Sequence, residues 1–529
     1  MKKTYLSILS LAALLSSCGG NNPSSLTNPV EEPLSVNNLE LFVYDNENEI
    51  IVNNKKEGET FTYSYEGNNL RIEGNRVIAL KANTETEVKV TSSLNRTATF
   101  KVSIPNREYV SKHADAETKE GWFNKVSVSK VSKMTSSFAN GMDISSVKQL
   151  YDNGQQFYNA DGVEQSLFYI LKDAGVNYIR LRLWVDPKDT WTENGETKTF
   201  LYGGGNCDLE HVTWMAHEAK AADLKVLLDF HYSDFWSDPS HQIVPKAWTN
   251  ITSVSAMASK IKSYTKDTLS HLKENAALPD MVAIGNETYG GMMLQKPGGI
   301  TKAGRNNLGP YYVTDCSTNT LGTRAPFAKD GGKEGNANLR AYIKAGVDAV
   351  KETDKNILTS VHFVKGLSDP NTSIKFFQTF DDMDIDVYSV SAYAYYHFSN
   401  ISTLRNGLTS IANAFPKKKI AIAETSYGFT YETDNWANNT FTPTGDCSPV
   451  SGYEASIHGQ AKLIRDISEV VANLNNGFGV FYWEGAWTPT KRSGWADYTS
   501  KASWSNQAFF SYNGKALGSL GLYKQMMGN

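Results

Sequence analysis

The feature that most constrains the fold is an alternation of apolar strands and amphipathic helices, which begins near Phe138 and continues towards the end of the chain. Continuous apolar strands separated by helices are typical of a parallel sheet with both faces covered. Eight repeats of this unit predict a (β/α)8 barrel, also called a TIM barrel, over residues 136–529. The predicted strands are Met142–Ile144, Asn177–Trp184, Leu224–Phe230, Asp280–Gly285, Asn356–Val361, Ile385–Ser391, Lys419–Ala423 and Phe478–Trp483.

An open, doubly wound sheet is the alternative architecture for this alternation. That fold usually places a glycine-rich phosphate-binding loop after an early strand, and the sequence contains no such loop. The intervening segments carry apolar residues at helical spacing, for example in Glu210–Ala222, Asn338–Glu352 and Tyr453–Asn473. We therefore expect the closed barrel.

A different pattern precedes the barrel. Leu39–Val43, Glu87–Val90 and Thr99–Ile104 alternate between apolar and polar residues, and Asn/Gly turns separate them. This pattern predicts a small all-β module, an immunoglobulin-like β-sandwich over residues 37–106, followed by a linker at residues 107–135. A carbohydrate-binding role and a spacer role both remain open. The lack of tryptophan in this stretch favours the spacer.

The first residues resemble an export signal. Lys2 and Lys3 precede the apolar stretch Tyr5–Leu15, which is too short to span a bilayer, and Ser16-Ser17-Cys18 follows. This pattern is similar to a bacterial lipobox, and it predicts a signal peptide at residues 1–17, acylation of Cys18 and a flexible tether at residues 18–36. An ordinary signal peptide that contains a cysteine is the alternative. We expect an exported lipoprotein at the outer membrane or cell surface, in contact with the membrane through its anchor alone.

Composition excludes several classes of partner. The net charge is −4 and charged residues make up 20% of the chain, which leaves no basic face for nucleic acid. Cys207, Cys316 and Cys447 lack the CxxC spacing of zinc sites, and their disulfide pairing stays open. We expect a monomer without a bound metal.

Two glutamates directly follow predicted apolar strands, Glu287 after the fourth and Glu424 after the seventh. Catalytic groups of a (β/α)8 barrel lie at the carboxyl ends of its strands. Hydrolysis of a glycosidic bond with retention needs one carboxylate as nucleophile and one carboxylic acid as proton donor, about 5–5.5 Å apart. The pair therefore predicts a retaining glycoside hydrolase.

Three further residues at strand ends suit this chemistry. Arg180 would hold Glu424 ionised, because a fixed guanidinium favours a charged carboxylate beside it. Asn286 would donate to the 2-hydroxyl of the sugar, and Trp483 would form an apolar floor beneath it.

Sequence motifs along the whole predicted barrel resemble those of glycoside hydrolase family 53, the endo-β-1,4-galactanases of clan A. The matching stretches are Gly141–Ser146, Arg180–Pro187, Asp229–Pro239, Ile284–Glu287, Ala423–Tyr427, Phe481–Glu484, Asn506–Phe510 and Asn513–Leu517. Among them, Asp229–Pro239 is the most specific and Asn286-Glu287 alone is weak.

This resemblance implies endo cleavage of β-1,4-galactan, with Glu287 as proton donor and Glu424 as nucleophile. It also implies sugar-subsite roles for a set of side chains, namely His231, Trp236, Asp238, Tyr393 and Trp487. Each of two residues also has a structural interpretation: His231 would only orient its neighbours, and Trp236 would only pack within its loop.

The sequence departs from the family pattern in two places. A glycine-rich insertion between Glu287 and the Asn338 helix, centred on Gly298–Gly335, is long enough to reshape the subsites. The stretch Thr433–Asn439 lacks the acidic spacing and the histidine of the calcium loop that bacterial relatives often carry. We therefore predict no cofactor.

Three alternatives remain open. Within clan A, a mannanase or cellulase is the nearest rival. A metal-dependent hydrolase would draw on His231, His362 and His397, although no His-x-His pattern accompanies them. A surface glycan-binding lipoprotein with an inactive barrel is the non-enzymatic alternative, and the presence of both glutamates argues against it.

Overall fold

The computed structural model describes residues 32–45, 48–298, 316–322, 332–434, 438–495 and 501–528. The predicted signal peptide, Cys18 and most of the predicted tether lie outside these ranges. The chain divides into two compact units. The first comprises Met1–Glu108 and Val163–Ser166, and the second comprises Tyr109–Gly162 and Leu167–Asn529.

The first unit is a small all-β module, as the alternating pattern predicts. Its strands are β1 (Leu39–Glu40), β2 (Phe61–Ser64), β3 (Leu70–Glu73), β4 (Arg76–Ala79), β5 (Thr84–Ser92) and β6 (Thr97–Ile104). One sheet has the order β1-β6-β5-β2, and β3 and β4 form a separate antiparallel pair. Val88, Val90, Phe100 and Val102 are buried, because they occupy alternate positions on β5 and β6 and so share one face of the sheet.

The second unit contains all the described helices and the remaining strands. The strands are β7 (Ala139–Asp143), β8 (Tyr178–Leu183), β9 (Lys188–Glu193), β10 (Glu196–Leu201), β11 (Lys225–Phe230), β12 (Met281–Ile284), β13 (Gln295–Lys296), β14 (Ser317–Thr318), β15 (Leu358–Phe363), β16 (Val387–Ser391), β17 (Lys419–Thr425) and β18 (Gly477–Tyr482). The helices are α1 (Ala114–Glu120), α2 (Val147–Asp152), α3 (Leu167–Ala174), α4 (Leu209–Ala221), α5 (Val254–Glu274), α6 (Ala337–Thr353), α7 (Pro370–Gln378), α8 (Ala394–His397), α9 (Ile401–Ala414), α10 (Ile457–Ala472) and α11 (Leu522–Met527).

Eight of these strands form a closed parallel barrel in the order β7-β8-β11-β12-β15-β16-β17-β18. The barrel closes where β18 pairs with β7, with Tyr482 opposite Met142. At least one helix follows each barrel strand, so the predicted (β/α)8 architecture is confirmed.

The barrel interior is packed below the carboxyl ends of the strands. Tyr178, Leu227, Met281 and Phe481 are buried in one cluster, separate from the large cluster that the strands form with the helices. Phe481 needs the glycine opposite it, because a Cβ at Gly141 would lie 2.2 Å from the Phe481 ring. A filled interior leaves the carboxyl-terminal mouth as the place for a site.

Residues 109–135, which the sequence analysis assigned to a linker, belong to the second unit here. They include α1, and they bury Trp122, Val126 and Val131 in the large apolar core. The sequence also gave no sign of the β9–β10 hairpin that follows the second barrel strand. Of the glycine-rich insertion, residues 299–315 and 323–331 lie outside the described residues.

Within the described ranges, every helix is too short or too polar to cross a membrane.

Candidate active site

Glu287 stands just beyond the fourth barrel strand, on a sharp turn. The strand ends at Ile284, and Gly285 then adopts a φ of 81°. Glu287 itself has a φ of 49°, a left-handed conformation that non-glycine residues rarely adopt. Such backbone conformations concentrate at functional sites, where the surrounding structure holds them in place.

Glu424 lies within the seventh barrel strand, β17, and pairs in register with Ser391 of β16. Both glutamates are buried, with exposed fractions of 9% for Glu287 and 6% for Glu424. One carboxyl oxygen of each lies within 4.8 Å of the other. The structure therefore brings the two predicted catalytic residues together.

Glu424 accepts hydrogen bonds on both carboxyl oxygens. Arg180 Nη2 donates to Oε1 at 2.8 Å, and the Tyr393 hydroxyl donates to Oε2 at 2.9 Å. Burial raises the pKa of Glu424 to about 7, and the Arg180 guanidinium and the Tyr393 hydroxyl limit this rise. These two donors stabilise the ionised form of Glu424.

Arg180 connects Glu424 to the rest of the barrel mouth. Its guanidinium also donates to Asp143 Oδ2 and Asp229 Oδ2, each at 2.7 Å, and to Asn286 Oδ1 at 3.0 Å. Burial disfavours its charge, but the three surrounding carboxylates outweigh burial and raise the pKa of Arg180. The guanidinium is therefore a permanent, fixed cation.

No cation among the described residues is in direct contact with Glu287. The Ser391 hydroxyl lies 2.6 Å from Glu287 Oε1. Burial, followed by the charge of Glu424, raises the pKa of Glu287 well above its usual range. Two adjacent carboxyl groups with unequal partners are the arrangement that divides the roles of acid and nucleophile between them.

Both glutamates line a cavity of about 510 Å³ at the barrel mouth. This volume lies within the range of small-molecule sites. Its lining comprises His231, Trp236, Ser237, Asp238, Pro239, Asn286, Glu287, Val364, Tyr393, Tyr396, His397, Glu424, Thr440, Trp483, Trp495, Ser503 and Trp504. Large aromatic rings beside carboxylates suit a sugar, whose C–H faces are apolar and whose hydroxyls need polar partners.

The tryptophans of the cavity pack against one another. The Trp483 and Trp504 rings meet edge to face with centroids 4.7 Å apart. Trp236 and Trp495 are stacked at 4.7 Å, and the Arg182 guanidinium lies 4.3 Å from the centroid of Trp236. Aromatic and cation–π contacts of this kind fix the orientation of Trp236.

His231 lines the cavity, yet its ring has protein partners. Nδ1 accepts from the Ser237 amide at 3.0 Å and lies 3.2 Å from Trp184 Nε1. Nε2 lies 3.3 Å from Asp229 Oδ2. Burial lowers the pKa of His231, so the ring is neutral near pH 7 and donates through Nε2.

The remaining predicted subsite residues differ in their access to the cavity. Asp238, Asn286, Tyr393 and Trp483 line it, whereas Arg180 lies behind Glu424 and is buried. Trp487 is buried too and does not line the described cavity, and its Nε1 donates to the Ser493 carbonyl at 2.9 Å.

The structure places at the site several residues for which the sequence predicts no role. Asp143 and Asp229 lie inside the quoted motifs and neutralise Arg180. Ser391 ends a predicted strand, and that position was its only signal. Trp495 and Trp504 come from the loop after the eighth strand, where no periodic pattern exists to indicate their position.

In the part of the chain that the structure describes, one group of side chains has ligating atoms close enough for a metal ion, namely Glu287, His362 and Glu424. Both ring nitrogens of His362 lie 2.9 Å from protein oxygens, those of Asn286 and Ser391. The Arg180 guanidinium would also repel a cation beside Glu424. These contacts suit hydrogen bonding better than metal coordination.

A closed (β/α)8 barrel with two buried glutamates at its mouth, in a cleft lined by tryptophans, defines a barrel glycoside hydrolase. The profile of the family described as "Glycosyl hydrolase family 53" matches residues 139–523. The chain belongs to this family.

Several relatives lie in the same family. The endo-beta-1,4-galactanase of Bacillus subtilis (strain 168) is 35% identical over 431 residues, which cover 75% of this chain and 88% of the relative. The arabinogalactan endo-beta-1,4-galactanase of Cellvibrio japonicus (strain Ueda107) is 29% identical, over 70% of this chain and 85% of the relative. The solved GH53 catalytic domain of Ignisphaera aggregans is 33% identical, with a TM-score of 0.63. The match covers 76% of this chain and 99% of that domain.

Proposed function

We propose that this chain is a retaining endo-β-1,4-galactanase in which Glu424 is the nucleophile and Glu287 the acid/base. One observation carries the proposal: the two carboxyl groups approach within 4.8 Å and have unlike partners, since Glu424 has two fixed donors and Glu287 has none that is charged. A separation this short suits direct attack by a carboxylate and leaves no room for the water that an inverting enzyme places between the two groups.

In the first step, Glu424 attacks the anomeric carbon of a galactosyl unit, and the bond to the leaving oxygen breaks. Glu287 transfers its proton to that oxygen, so the departing chain leaves as an alcohol. In the second step, ionised Glu287 takes a proton from water, and the oxygen of that water displaces Glu424 from the anomeric carbon. Two inversions give net retention.

The tryptophans and the amide of Asn286 supply the sugar contacts in this proposal. Trp483 and Trp236 line the cavity, where they offer apolar aromatic surface to galactosyl rings. Asn286 Nδ2 donates one proton to the Ser237 carbonyl at 2.7 Å, which leaves its second proton for a sugar hydroxyl.

Galactan is the proposed substrate because the Bacillus subtilis and Cellvibrio japonicus relatives, which match most of this chain, are named as galactanases. A polysaccharide panel tests this directly, with β-1,4-galactan, arabinogalactan, mannan and cellulose compared side by side. We expect a rapid fall in the viscosity of galactan and release of short galacto-oligosaccharides. Activity on mannan or cellulose without activity on galactan would contradict the proposal.

The remaining parts of the chain receive proposals of their own. The first unit contains a mixed four-stranded sheet, in which β1 pairs parallel with β6, and a separate antiparallel pair. We propose that it is an immunoglobulin-like module that acts as a spacer. We further propose that Cys18 carries a lipid anchor that places a monomeric enzyme at the outer membrane or cell surface.

A further inference from the structure

We propose that a chain of hydrogen bonds through Asn286, His362 and Ser391 holds Glu287 in its protonated form, which makes His362 and Ser391 positioning residues of the acid/base. This inference rests on the role proposed above for Glu287 and deepens it. Of the groups in this hydrogen-bonded chain, Asn286 has the orientation that its neighbours fix directly.

The amide of Asn286 can point in only one direction. Its Nδ2 donates to the Ser237 carbonyl at 2.7 Å, and its Oδ1 accepts from Arg180 Nη2 at 3.0 Å. Exchanging the two atoms would set a donor against the guanidinium and an acceptor against the carbonyl. Asn286 Oδ1 is therefore an acceptor for every neighbour.

That orientation determines the tautomer of His362. Its Nδ1 lies 2.9 Å from Asn286 Oδ1, so Nδ1 must carry a proton. The backbone amide of Glu287 also faces Nδ1, but at 3.4 Å, which is the long end of the hydrogen-bond range. The shorter contact decides the tautomer.

The second ring nitrogen then becomes an acceptor. Burial, followed by the charge of Arg180, lowers the pKa of His362 to about 3. A neutral ring with its proton on Nδ1 has a lone pair on Nε2, which lies 2.9 Å from the Ser391 hydroxyl. Ser391 therefore donates to His362.

The Ser391 hydroxyl has one proton, and it donates this proton in the hydrogen bond to His362 Nε2. Its oxygen still lies 2.6 Å from Glu287 Oε1, so the proton in that contact must come from Glu287. In the opposite arrangement Ser391 would donate to an ionised Glu287, and the unprotonated Nδ1 would face Asn286 Oδ1 at 2.9 Å as a second acceptor. That contact is repulsive, so the chain favours protonated Glu287.

An imidazolium beside an ionised Glu287 would also satisfy each hydrogen bond with the same number of protons. The buried position of His362 and the positive charge of Arg180 disfavour that arrangement. The proton therefore stays on Glu287, where the first step needs it, and returns there in the second step.

The test compares Ser391→Ala with Ser389→Ala. Ser389 lies two positions earlier on β16, is equally buried, and bonds Ser360 and the Val361 carbonyl rather than Glu287. The other charged or titratable groups around Glu287 stay in both variants. They are Arg180 of β8, His231 and Asp238 after β11, His362 of β15, Tyr393 after β16, Tyr396 and His397 of α8, and Glu424 of β17.

The measured quantity is the pH dependence of kcat/KM on galactan. The fall in kcat/KM at high pH, its alkaline limb, reports the pKa of the acid in the free enzyme. Because Glu287 must be protonated to act, activity falls as pH rises through its pKa. In Ser391→Ala the proton of Glu287 loses its acceptor, so we expect the limb to move down by about one pH unit. Ser389→Ala should keep the wild-type limb.

The direction of the shift decides the outcome. If Ser391 were a simple donor to an ionised Glu287, its removal would move the alkaline limb upwards, and either an upward shift or no shift overturns the inference. Absence of galactan hydrolysis by the wild-type protein would instead contradict the proposed function.

A second measurement needs neither galactan nor a folded Ser391 variant. Infrared difference spectra between the wild type and Glu287→Gln at neutral pH should contain the C=O band of a protonated carboxyl group. A spectrum with only carboxylate bands at that pH would overturn the inference.

Discussion

At the scale of single residues, Arg180 sets the charge balance of the cleft. It is buried and contacts three carboxylates, so its positive charge is shared among Asp143, Asp229 and Glu424. A buried charge is tolerated only with partners such as these. Glu287 lies outside this set of contacts, so the direct contact with Arg180 favours the ionised form of Glu424 over that of Glu287.

The Tyr393 hydroxyl is the second donor to Glu424, and its removal should be visible in a pH profile. Glu424 must be ionised to attack, so activity appears as pH rises through its pKa. Tyr393→Phe removes a stabilising donor and raises that pKa, so we expect the acidic limb of kcat/KM to move up by about one pH unit.

Tyr395→Phe is the matched control for this variant. The Tyr395 hydroxyl bonds the buried side chains of Gln507 and Ser426 rather than Glu424. Its acidic limb should therefore coincide with that of the wild type. An unchanged limb in Tyr393→Phe would contradict the role assigned to the Tyr393 hydroxyl.

At the scale of elements, the strand ends bring the chemistry together and the loops line the cleft. Glu287 follows the fourth strand of the barrel, and Glu424 lies near the end of the seventh. Trp236 comes from the loop after β11, and Trp495 and Trp504 come from the loop after β18. Rigid strands thus fix the reacting groups, while side chains on loops determine the shape of the sugar site.

Two tryptophans of these loops should behave differently when truncated. Trp236 lines the cavity and is only partly buried, so Trp236→Ala should raise KM for galactan about tenfold and destabilise the fold less than Trp487→Ala does. Trp487 is buried, so Trp487→Ala should lose about 3–5 kcal/mol of unfolding free energy. Steady-state kinetics and chemical denaturation separate the two effects, and the reverse result would contradict the cavity described here.

The sequence was sufficient to predict the barrel strands because short, largely apolar segments alternate with amphipathic helices. The first strand is the partial exception, since Ala139-Asn140-Gly141 carries no apolar signal. A glycine is required at position 141 because any larger side chain would clash with the ring of Phe481, which is distant in the sequence. A requirement set by a partner on another strand leaves no local periodicity to detect.

The same reason explains which parts of the site were missed. Glu287 and Glu424 could be predicted because the barrel topology brings strand ends together. The contacts among Asn286, His362 and Ser391 join three different strands and depend on distances that a sequence does not contain. The stacking of Trp495 on Trp236 depends on the path of a loop, which strand and helix patterns do not specify.

At the scale of the whole molecule, the catalytic residues and the proposed anchor belong to different parts of the chain. Every residue that lines the cavity lies in the second unit, whereas Cys18 precedes the described residues of the first. Anchoring and catalysis should therefore be separable by mutation.

Cys18→Ala tests this separation. We expect the variant to leave the membrane fraction and appear in the soluble fraction, because it lacks the acylated thiol, while its kcat/KM on galactan equals that of the wild type. Cell fractionation with an activity assay on each fraction measures both properties. A variant that still sediments with membranes would contradict the proposed anchor.

The central claim is that Glu424 is the nucleophile and Glu287 the acid/base. The most direct test is azide rescue of Glu424→Ala and Glu287→Ala on an aryl β-galactobioside with an acidic phenol, followed by NMR of the glycosyl azide formed. We predict the α-azide from Glu424→Ala, because azide replaces the missing nucleophile in a single inversion. We predict the β-azide from Glu287→Ala, because azide opens the glycosyl-enzyme in a second inversion. The opposite pair of configurations would contradict the account.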